Sequence, residues 1–420
     1  MKTTAVRLYG ESDLRIETFE MPEIGPGECL MRVVSDTVCA STYKAVIQGP
    51  NHKRVPEDVA ENPIIVGHEM CGELLAVGEN LKDQWKVGQK VVIQPALKTA
   101  DGHDPGYSFR WIGGNSLYAI VPEIVLEKGC MVAYDGEGYY KGSLVESIGC
   151  VLRAFKGMYH TDYTCYKRTD GCLEGGNCII LGGAGPMGLA SAELAISYGK
   201  CKKIVVTDLN QERLDYAARV CSPERAAEKG AELYFVNTSG MEDPVKELKA
   251  VIGGEGFDDA FVMVPVPALV TQAEELLRED GCLNFFAGPA IHNMPGALNL
   301  YRVHYEGIHL LGTAGSIPED TVDVIKLMEN GTLDPSGMIS HIMGLNAAPQ
   351  AIFDMKTPNG AKKVVYNEID IPCIAVADLA KLGETDPLYK ELADLVSANG
   401  GRWSPEAEKV LLEKAPKIKQ

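Results

Sequence analysis

Twelve cysteines are scattered through the 420 residues, yet no two of them form a C-x-x-C pair. That absence argues against a zinc knuckle and against the disulfide framework of a secreted domain, and it points to a reducing cytosol. The first residues, Met1-Lys-Thr-Thr-Ala-Val-Arg-Leu-Tyr-Gly, contain no apolar run of signal-peptide length, and no later run approaches a membrane span. A cytoplasmic protein with no membrane partner is expected. Basic residues are scarce: 40 Lys and Arg stand against 58 Asp and Glu, a net charge of −18. This balance excludes non-specific binding to nucleic acid, and an anionic small molecule would need a local basic cluster working against the overall field. No internal repeat and no low-complexity segment is visible. What remains is ordinary globular composition, 45% hydrophobic and 23% charged, with enough length for two domains.

The most informative stretch runs from Asn177 to Asp208. Cys178–Leu181 is a short apolar run bounded by glycine, as in a fully buried parallel strand. Gly183-Ala184-Gly185-Pro186-Met187-Gly188 then has the G-x-G-x-x-G spacing, followed by an alanine-rich helical run to Tyr198. Gly183 permits the tight turn, Gly185 lets a pyrophosphate approach the backbone, and Gly188 lets helix pack on strand. Pro186 and Met187 open the helix, whose first N–H groups and positive dipole end favour phosphate. Lys203–Asp208 reads as the next strand, and Asp208, twenty residues after Gly188, can accept hydrogen bonds from a ribose diol. A carboxylate there repels a 2′-phosphate, and Leu209-Asn210 supplies no adjacent arginine. NAD(H) is therefore expected over NADP(H), with Lys202 and Lys203 leaving use of NADP(H) open. A tight strand–helix turn without ligand is the plainer reading of the same glycines.

The chain on either side divides by pattern. Residues 1–35 alternate as strands, with turns at Gly25-Pro26-Gly27. Short strands are expected again around 63–66, 72–78, 87–93 and 113–122, and residues 94–115 read as loop. Ser143–Lys156 has helical apolar spacing. From Asn177 strands (178–182, 203–207, 232–236, 259–264, 282–287, 308–313) alternate with helices (187–198, 210–220, 243–252, 267–279), which builds a doubly wound α/β sheet. Helix 320–330, strand 338–343, helix 348–355 and strand 362–366 follow, and residues 369–420 read as a charged, helix-rich appendage.

Outside the nucleotide fold, Cys39, His68, Glu69 and Glu146 carry metal-binding chemistry: thiolate, imidazole and carboxylate together suit Zn²⁺ with one position left open. Each also has a structural reading. Cys39 could be a small buried apolar residue, His68-Glu69 a polar pair at a strand end, and Glu146 a charge complementing a helix dipole.

The order of these features resembles the medium-chain dehydrogenase/reductase family in its zinc-dependent branch. The resemblance spans about residues 1–367 and rests on Cys39, Gly67-His68-Glu69, Gly72, Gly78, Val87-Gly88, Gly113-Gly114…Tyr118 and the Gly183 fingerprint. It implies a chaperonin-10-like β catalytic domain over 1–155, a Rossmann dinucleotide-binding domain over 156–312, a return to the catalytic domain over 313–368 and a helical C-terminal extension over 369–420. It implies that Cys39 and His68 are zinc ligands, with Glu69 and Glu146 supplying the rest, and that Ser41 relays a proton. Residues 94–115 lack the family's four-cysteine lobe, so one catalytic zinc ion per subunit is expected. Lys44 stands where alcohol dehydrogenases often carry a relay histidine. Glu146-Ser147 resembles the Glu-Pro of the polyol branch, and within it the ketose-1-phosphate reductases. A sugar or polyol substrate, phosphorylated as in the pair L-sorbose 1-phosphate and D-glucitol 6-phosphate, is implied, as is a homodimer or homotetramer. Lys44, Arg110 and the run His52-Lys53-Arg54 are candidate phosphate contacts, and Tyr118 a further candidate on the substrate side. The competing expectations are an unphosphorylated polyol dehydrogenase, a zinc-free reductase of the same superfamily and an inactive nucleotide-binding protein.

Overall fold

The computed structural model describes residues 1–162, 164–289, 291–357 and 360–419, which form two compact units. One unit comprises residues 1–147, 316–329 and 339–420; the other comprises 148–315 and 330–338. The first division falls inside the helix Tyr139–Gly157.

The second unit is the doubly wound sheet that the alternating pattern predicts. Its six strands lie in the order Glu232–Asn237, Lys203–Asp208, Asn177–Leu181, Phe257–Val262, Leu277–Phe285 and His309–Gly312, and every pairing is parallel. All five residues of Asn177–Leu181 are buried, as a central strand covered on both faces requires. Crossover helices run over Pro186–Ser197, Gln211–Val220, Pro244–Val251 and Pro267–Leu276. Asn210 caps the second through a 3.0 Å bond from the Arg213 N–H, and Asp243 caps the third from Lys246 at 3.1 Å. A further helix, Pro223–Glu228, was not expected from apolar spacing; Ser222 caps it and Pro223 opens it. His309–Gly312 is the edge strand, and Leu310 on it is exposed, as are Leu300, Tyr301 and Tyr305 on the preceding helix Leu300–Tyr305.

The first unit is built on β-structure. An eight-stranded sheet has Cys29–Thr37 near its centre, flanked by Lys362–Tyr366, Cys71–Val77 and Tyr118–Val121. A three-stranded sheet joins Asp13–Glu20, Lys2–Gly10 and Ile64–Ile65. Val6, Leu8, Val46, Ile64, Tyr107, Met343 and Val365 share one core, and Met31, Val33, Leu74, Val91 and Ile93 another. The short helix Ala40–Gln48, read from the sequence as part of a loop, caps the end of the central strand.

Residues 369–420 are helix-rich, with helices at Leu379–Leu382, Pro387–Ala398 and Pro405–Lys414. They are built into the first unit rather than appended to it. Trp403 is fully buried and its indole N–H donates to the Tyr366 hydroxyl at 2.7 Å. Glu408, also buried, accepts the N–H groups of Tyr139 and Tyr140 at 2.6 and 2.8 Å and the Tyr366 hydroxyl at 2.9 Å. The tail thus supplies the N-terminal cap of the helix Tyr139–Gly157.

Candidate active site

Three chain reversals converge in the first unit. The central strand ends at Thr37, and Cys39 is the extended residue that begins the helix Ala40–Gln48. His68 and Glu69 follow a turn at Gly67, whose φ of +95° is left-handed. A side chain at Gly67 would strike the Asn115 amide and the Asp36 carboxylate, so only glycine fits. Asp36 in turn fixes the turn by accepting the Glu69 N–H at 2.9 Å.

These turns bring one ligand atom each of Cys39, His68 and Glu69 within 4.8 Å of one another. The Ser41 hydroxyl is hydrogen-bonded to the Cys39 sulfur at 3.0 Å and to His68 Nε2 at 3.3 Å. On the far side of the ring, Thr42 holds His68 Nδ1 at 3.1 Å. Burial pushes the His68 imidazolium down to about 4 and the Cys39 thiol up to about 12, the latter reinforced by the Glu69 charge. A neutral imidazole and a thiol that ionises only beside a cation are what a zinc ion requires, so the donor set fits Zn²⁺. Glu146 is half-buried outside this trio, but its charge acts on Cys39, Tyr107 and Lys362.

Two partners escaped the sequence reading. Lys362, buried in the strand Lys362–Tyr366, donates to Glu69 Oε1 at 2.5 Å, and Thr37 also bonds that carboxylate. The pair is mutual: although burial opposes both charges, the lysine draws Glu69 below its ordinary range and the carboxylate raises Lys362. Lysines 362 and 363 inside an otherwise apolar strand were the available signal. Tyr107 donates to the Ser41 hydroxyl at 2.8 Å and lies 3.1 Å from His68 Nε2. It sits just after Pro105-Gly106, in a stretch whose composition says only loop.

Tyr107 also carries the site toward cationic residues. The His52 ring stacks on it at 6.2 Å between centroids, and the Arg54 guanidinium lies 4.8 Å from its ring centre. Arg54 is paired with Asp104 at 2.9 Å. Burial, then the charges of Arg54, Lys53 and Lys44, lower His52 to about 4, so these four side chains form one electrostatic group. Arg110 is not brought there: it is exposed, bonded to Asn62 at 3.3 Å and stacked on Trp111. Tyr118 lies on the strand Tyr118–Val121 opposite Arg32, its backbone held on both sides by the Thr3 hydroxyl. Neither reaches the Cys39–His68 group through a described contact.

In the second unit, Gly183 and Gly185 lie between the strand Asn177–Leu181 and the helix Pro186–Ser197, and Gly188 lies in the first turn of that helix. A side chain at Gly188 would meet the Gly183 carbonyl oxygen at 2.0 Å, so helix and strand touch through it. At Gly185 such a side chain would meet nothing within 4 Å. Gly185 begins the helix with no side-chain cap, followed by Pro186 and Met187, and leaves the helix's first N–H groups for an anion. Asp208 ends the adjacent strand, one oxygen accepting the Asn210 N–H at 3.0 Å. The cradle fits a dinucleotide's pyrophosphate and ribose.

Comparison with known proteins agrees with this geometry. Residues 25–129 match the alcohol dehydrogenase GroES-like domain, and residues 186–330 match the zinc-binding dehydrogenase model. The chain is 43% identical to mannitol-1-phosphate 5-dehydrogenase of Aliivibrio fischeri over 98% of each chain. It is 41% identical to L-sorbose 1-phosphate reductase of Klebsiella pneumoniae, over 99% of this chain and 98% of that one. The crystal structure of 2R,3R-butanediol dehydrogenase from Bacillus subtilis shares the fold, with a TM-score of 0.69 at 23% identity over 87% of this chain and 99% of that one. A GroES-like β-domain carrying a sulfur–imidazole–carboxylate site, joined to a glycine-fingerprinted parallel sheet, makes this chain a member of the zinc-dependent alcohol dehydrogenase family.

Proposed function

We propose that the chain catalyses reversible hydride transfer between NAD(H) and a phosphorylated open-chain ketose or polyol, of the L-sorbose 1-phosphate and D-glucitol 6-phosphate type, with one catalytic zinc ion per subunit. The observation that carries the substrate class is the basic group Lys44, Lys53 and Arg54 around the neutral His52 ring, coupled through Tyr107 to Ser41 and His68 in a chain of net charge −18. The names of the two relatives above, a mannitol-1-phosphate dehydrogenase and a sorbose 1-phosphate reductase, support the same class. Twelve free cysteines, and no helix among the described residues long and apolar enough to cross a membrane, accord with work in the cytoplasm.

Cys39 and His68 would hold the zinc, with Glu69 and Glu146 as the carboxylates. Bound there, the ion supplies Lewis acidity toward a carbonyl or alkoxide oxygen, and the nicotinamide supplies the hydride. The protein's own contribution is orientation and proton handling. Ser41, between Cys39, His68 and Tyr107, is the hydroxyl placed to exchange a proton with the substrate oxygen, and the Tyr107 hydroxyl orients it by donating to it. Arg54 is partly neutralised by Asp104, and Lys44 and Lys53 add positive charge to the same electrostatic group. Charge-assisted contacts contribute about 1.5–3 kcal/mol each. Two of them amount to roughly 3–6 kcal/mol, a preference of about a hundredfold to ten-thousandfold over the unphosphorylated sugar.

The test compares kcat/KM for L-sorbose 1-phosphate and L-sorbose in the native enzyme and in Lys44→Ala, Arg54→Ala and Arg110→Ala. The phosphate is expected to be preferred by at least about a hundredfold. That preference should fall in the first two variants and stand unchanged in the third. Equal use of the free sugar by the native enzyme would replace this reading with a plain polyol dehydrogenase. His68→Ala should abolish turnover with either sugar.

A further inference from the structure

A second group of metal-binding side chains lies in the parallel-sheet unit, at the end of the sheet opposite the Gly183–Gly188 turn. Cys172 precedes the first strand, Cys178 is the second residue of that strand, and Cys201 stands just before the strand Lys203–Asp208. Asp259, on the strand Phe257–Val262, is in direct register with Cys178. At the rise of a parallel strand, Cys178 is roughly 16 Å from Gly183, so these residues have no part in the nucleotide cradle. One ligand atom each of Cys172, Cys201 and Asp259 lies within 4.8 Å of the other two. Cys172 and Cys178 both act on the Cys201 thiol and hold it well below its ordinary range. Cys178, Cys201 and Asp259 are essentially inaccessible to solvent, while Cys172 is half-buried.

The carboxylate is oriented, not merely enclosed. Asp259 Oδ1 lies 3.2 Å from His160 Nε2, and Oδ2 accepts the Leu173 N–H at 2.9 Å. His160 is itself held through Nδ1 by the Asp280 carbonyl at 3.0 Å. Sulfurs from two chain segments before the first and second strands, meeting an aimed carboxylate of a third strand inside a domain core, are poorly explained by packing alone, since a buried carboxylate is costly to desolvate. In a tetrahedral site with Zn–S bonds of about 2.3 Å, ligand atoms stand about 3.8 Å apart. Among Cys172, Cys201 and Asp259 the observed spacing therefore needs a contraction of no more than about 1 Å, and Cys178 adjoins them through its register with Asp259.

We propose that Cys172, Cys178, Cys201 and Asp259 form a second, structural metal site that takes one thiophilic divalent cation of the Zn²⁺ class through three sulfurs and one carboxylate oxygen. Four protein ligands leave no open position, so the site supports the fold and not the reaction. Binding breaks three S–H bonds, releases the three protons to solvent and forms three metal–thiolate bonds without any redox change. The half-buried Cys172 gives the ion access. The cation would tie together the loop before the first strand, the first strand itself, the approach to the second and the middle of the fourth.

The experiment counts zinc per chain by elemental mass spectrometry in the purified full-length protein and in Cys201→Ser, Cys172→Ser and His68→Ala. Replacing Cys201 should remove one ion per chain while hydride-transfer activity below the melting temperature persists. Replacing His68 should remove a different ion and leave the first in place. With Co²⁺ in place of Zn²⁺, the intense thiolate-to-cobalt absorption should survive His68→Ala and disappear in Cys201→Ser. If Cys201→Ser does not fold, Cys172→Ser, altered at the most accessible ligand, must show the same loss. An unchanged zinc count in folded Cys201→Ser or Cys172→Ser overturns the site, as does a native disulfide between any two of the three cysteines. Because the count is read as a difference between variants, it is independent of whether the Cys39–His68 site holds zinc or which sugar is reduced.

Discussion

Glu69 illustrates how much of a residue's role depends on its partner. The motif Gly67-His68-Glu69 marks the carboxylate as a candidate ligand, but the neighbour that keeps it ionised, Lys362, is 293 positions away in sequence. Removing one member of a buried ion pair leaves an uncompensated charge and costs about 3–5 kcal/mol. Lys362→Met, measured on chelator-treated protein so that metal does not enter, should lose stability on that scale. Lys362→Met with Glu69→Gln should recover a large part of it. Equal stability of the single and double variants would show that the pair is not coupled. Asp208 needed no such partner to be recognised, since a strand-terminal acid at a fixed distance from the glycines is local information. Asp208→Ser should raise kcat/KM with NADPH and lower it with NADH; an unchanged ratio would remove Asp208 as the discriminator. Cys39 and His68 were legible because their motifs are short. Tyr107 and Lys362 were not, because a tyrosine in a turn and a lysine in a strand acquire meaning only from what folds against them.

Among elements, most strands and helices of the parallel sheet were readable to within two residues, because buried strands and amphipathic helices impose opposite periodicities on the sequence. The strand Leu277–Phe285 begins five residues before its expected start and takes the last residues expected of the helix before it. The helix Ala40–Gln48 was not, as its nine residues carry too little apolar repeat to distinguish it from a polar turn. The role of Pro405–Lys414 was equally hidden. That helix brings Glu408 to the start of Tyr139–Gly157, where burial raises the carboxyl from 4.5 to about 7 despite the N–H groups it accepts. The folded protein therefore holds this proton more tightly than the unfolded chain does. Stability from this group is greatest below about pH 4.5 and falls as pH rises toward 7, by on the order of 3 kcal/mol, then levels off. Glu408→Gln, which stays neutral, should remove that slope. Melting temperatures of the two proteins measured from pH 5 to 8 should therefore diverge in favour of the glutamine variant as pH increases. Parallel curves would mean that Glu408 ionises in the fold as freely as in water.

For the whole molecule, the strand His309–Gly312 ends the six-stranded sheet, no strand among the described residues pairs with its outer edge, and Leu310, Leu300, Tyr301 and Tyr305 are exposed on it and on the helix before it. Sheet edges of this kind join other strands unless they are blocked, and an apolar margin favours a second copy of the same chain. We expect a dimer through this edge. Leu310→Lys with Tyr305→Glu should shift the mass seen by light scattering to that of one chain, whereas an unaltered mass would locate the contact elsewhere. The unit that holds Cys39 and His68 has a different dependence, on the order of synthesis. Its sheet requires Lys362–Tyr366 beside Cys29–Thr37, and its core requires Trp403. On the ribosome, the parallel-sheet unit can close once residues 148–338 have emerged, while the first 147 residues wait, incompletely paired, for partners made some two hundred residues later. Each nascent chain therefore exposes an open sheet for most of its translation, and the unit that holds Cys39 and His68 completes its fold only near the end.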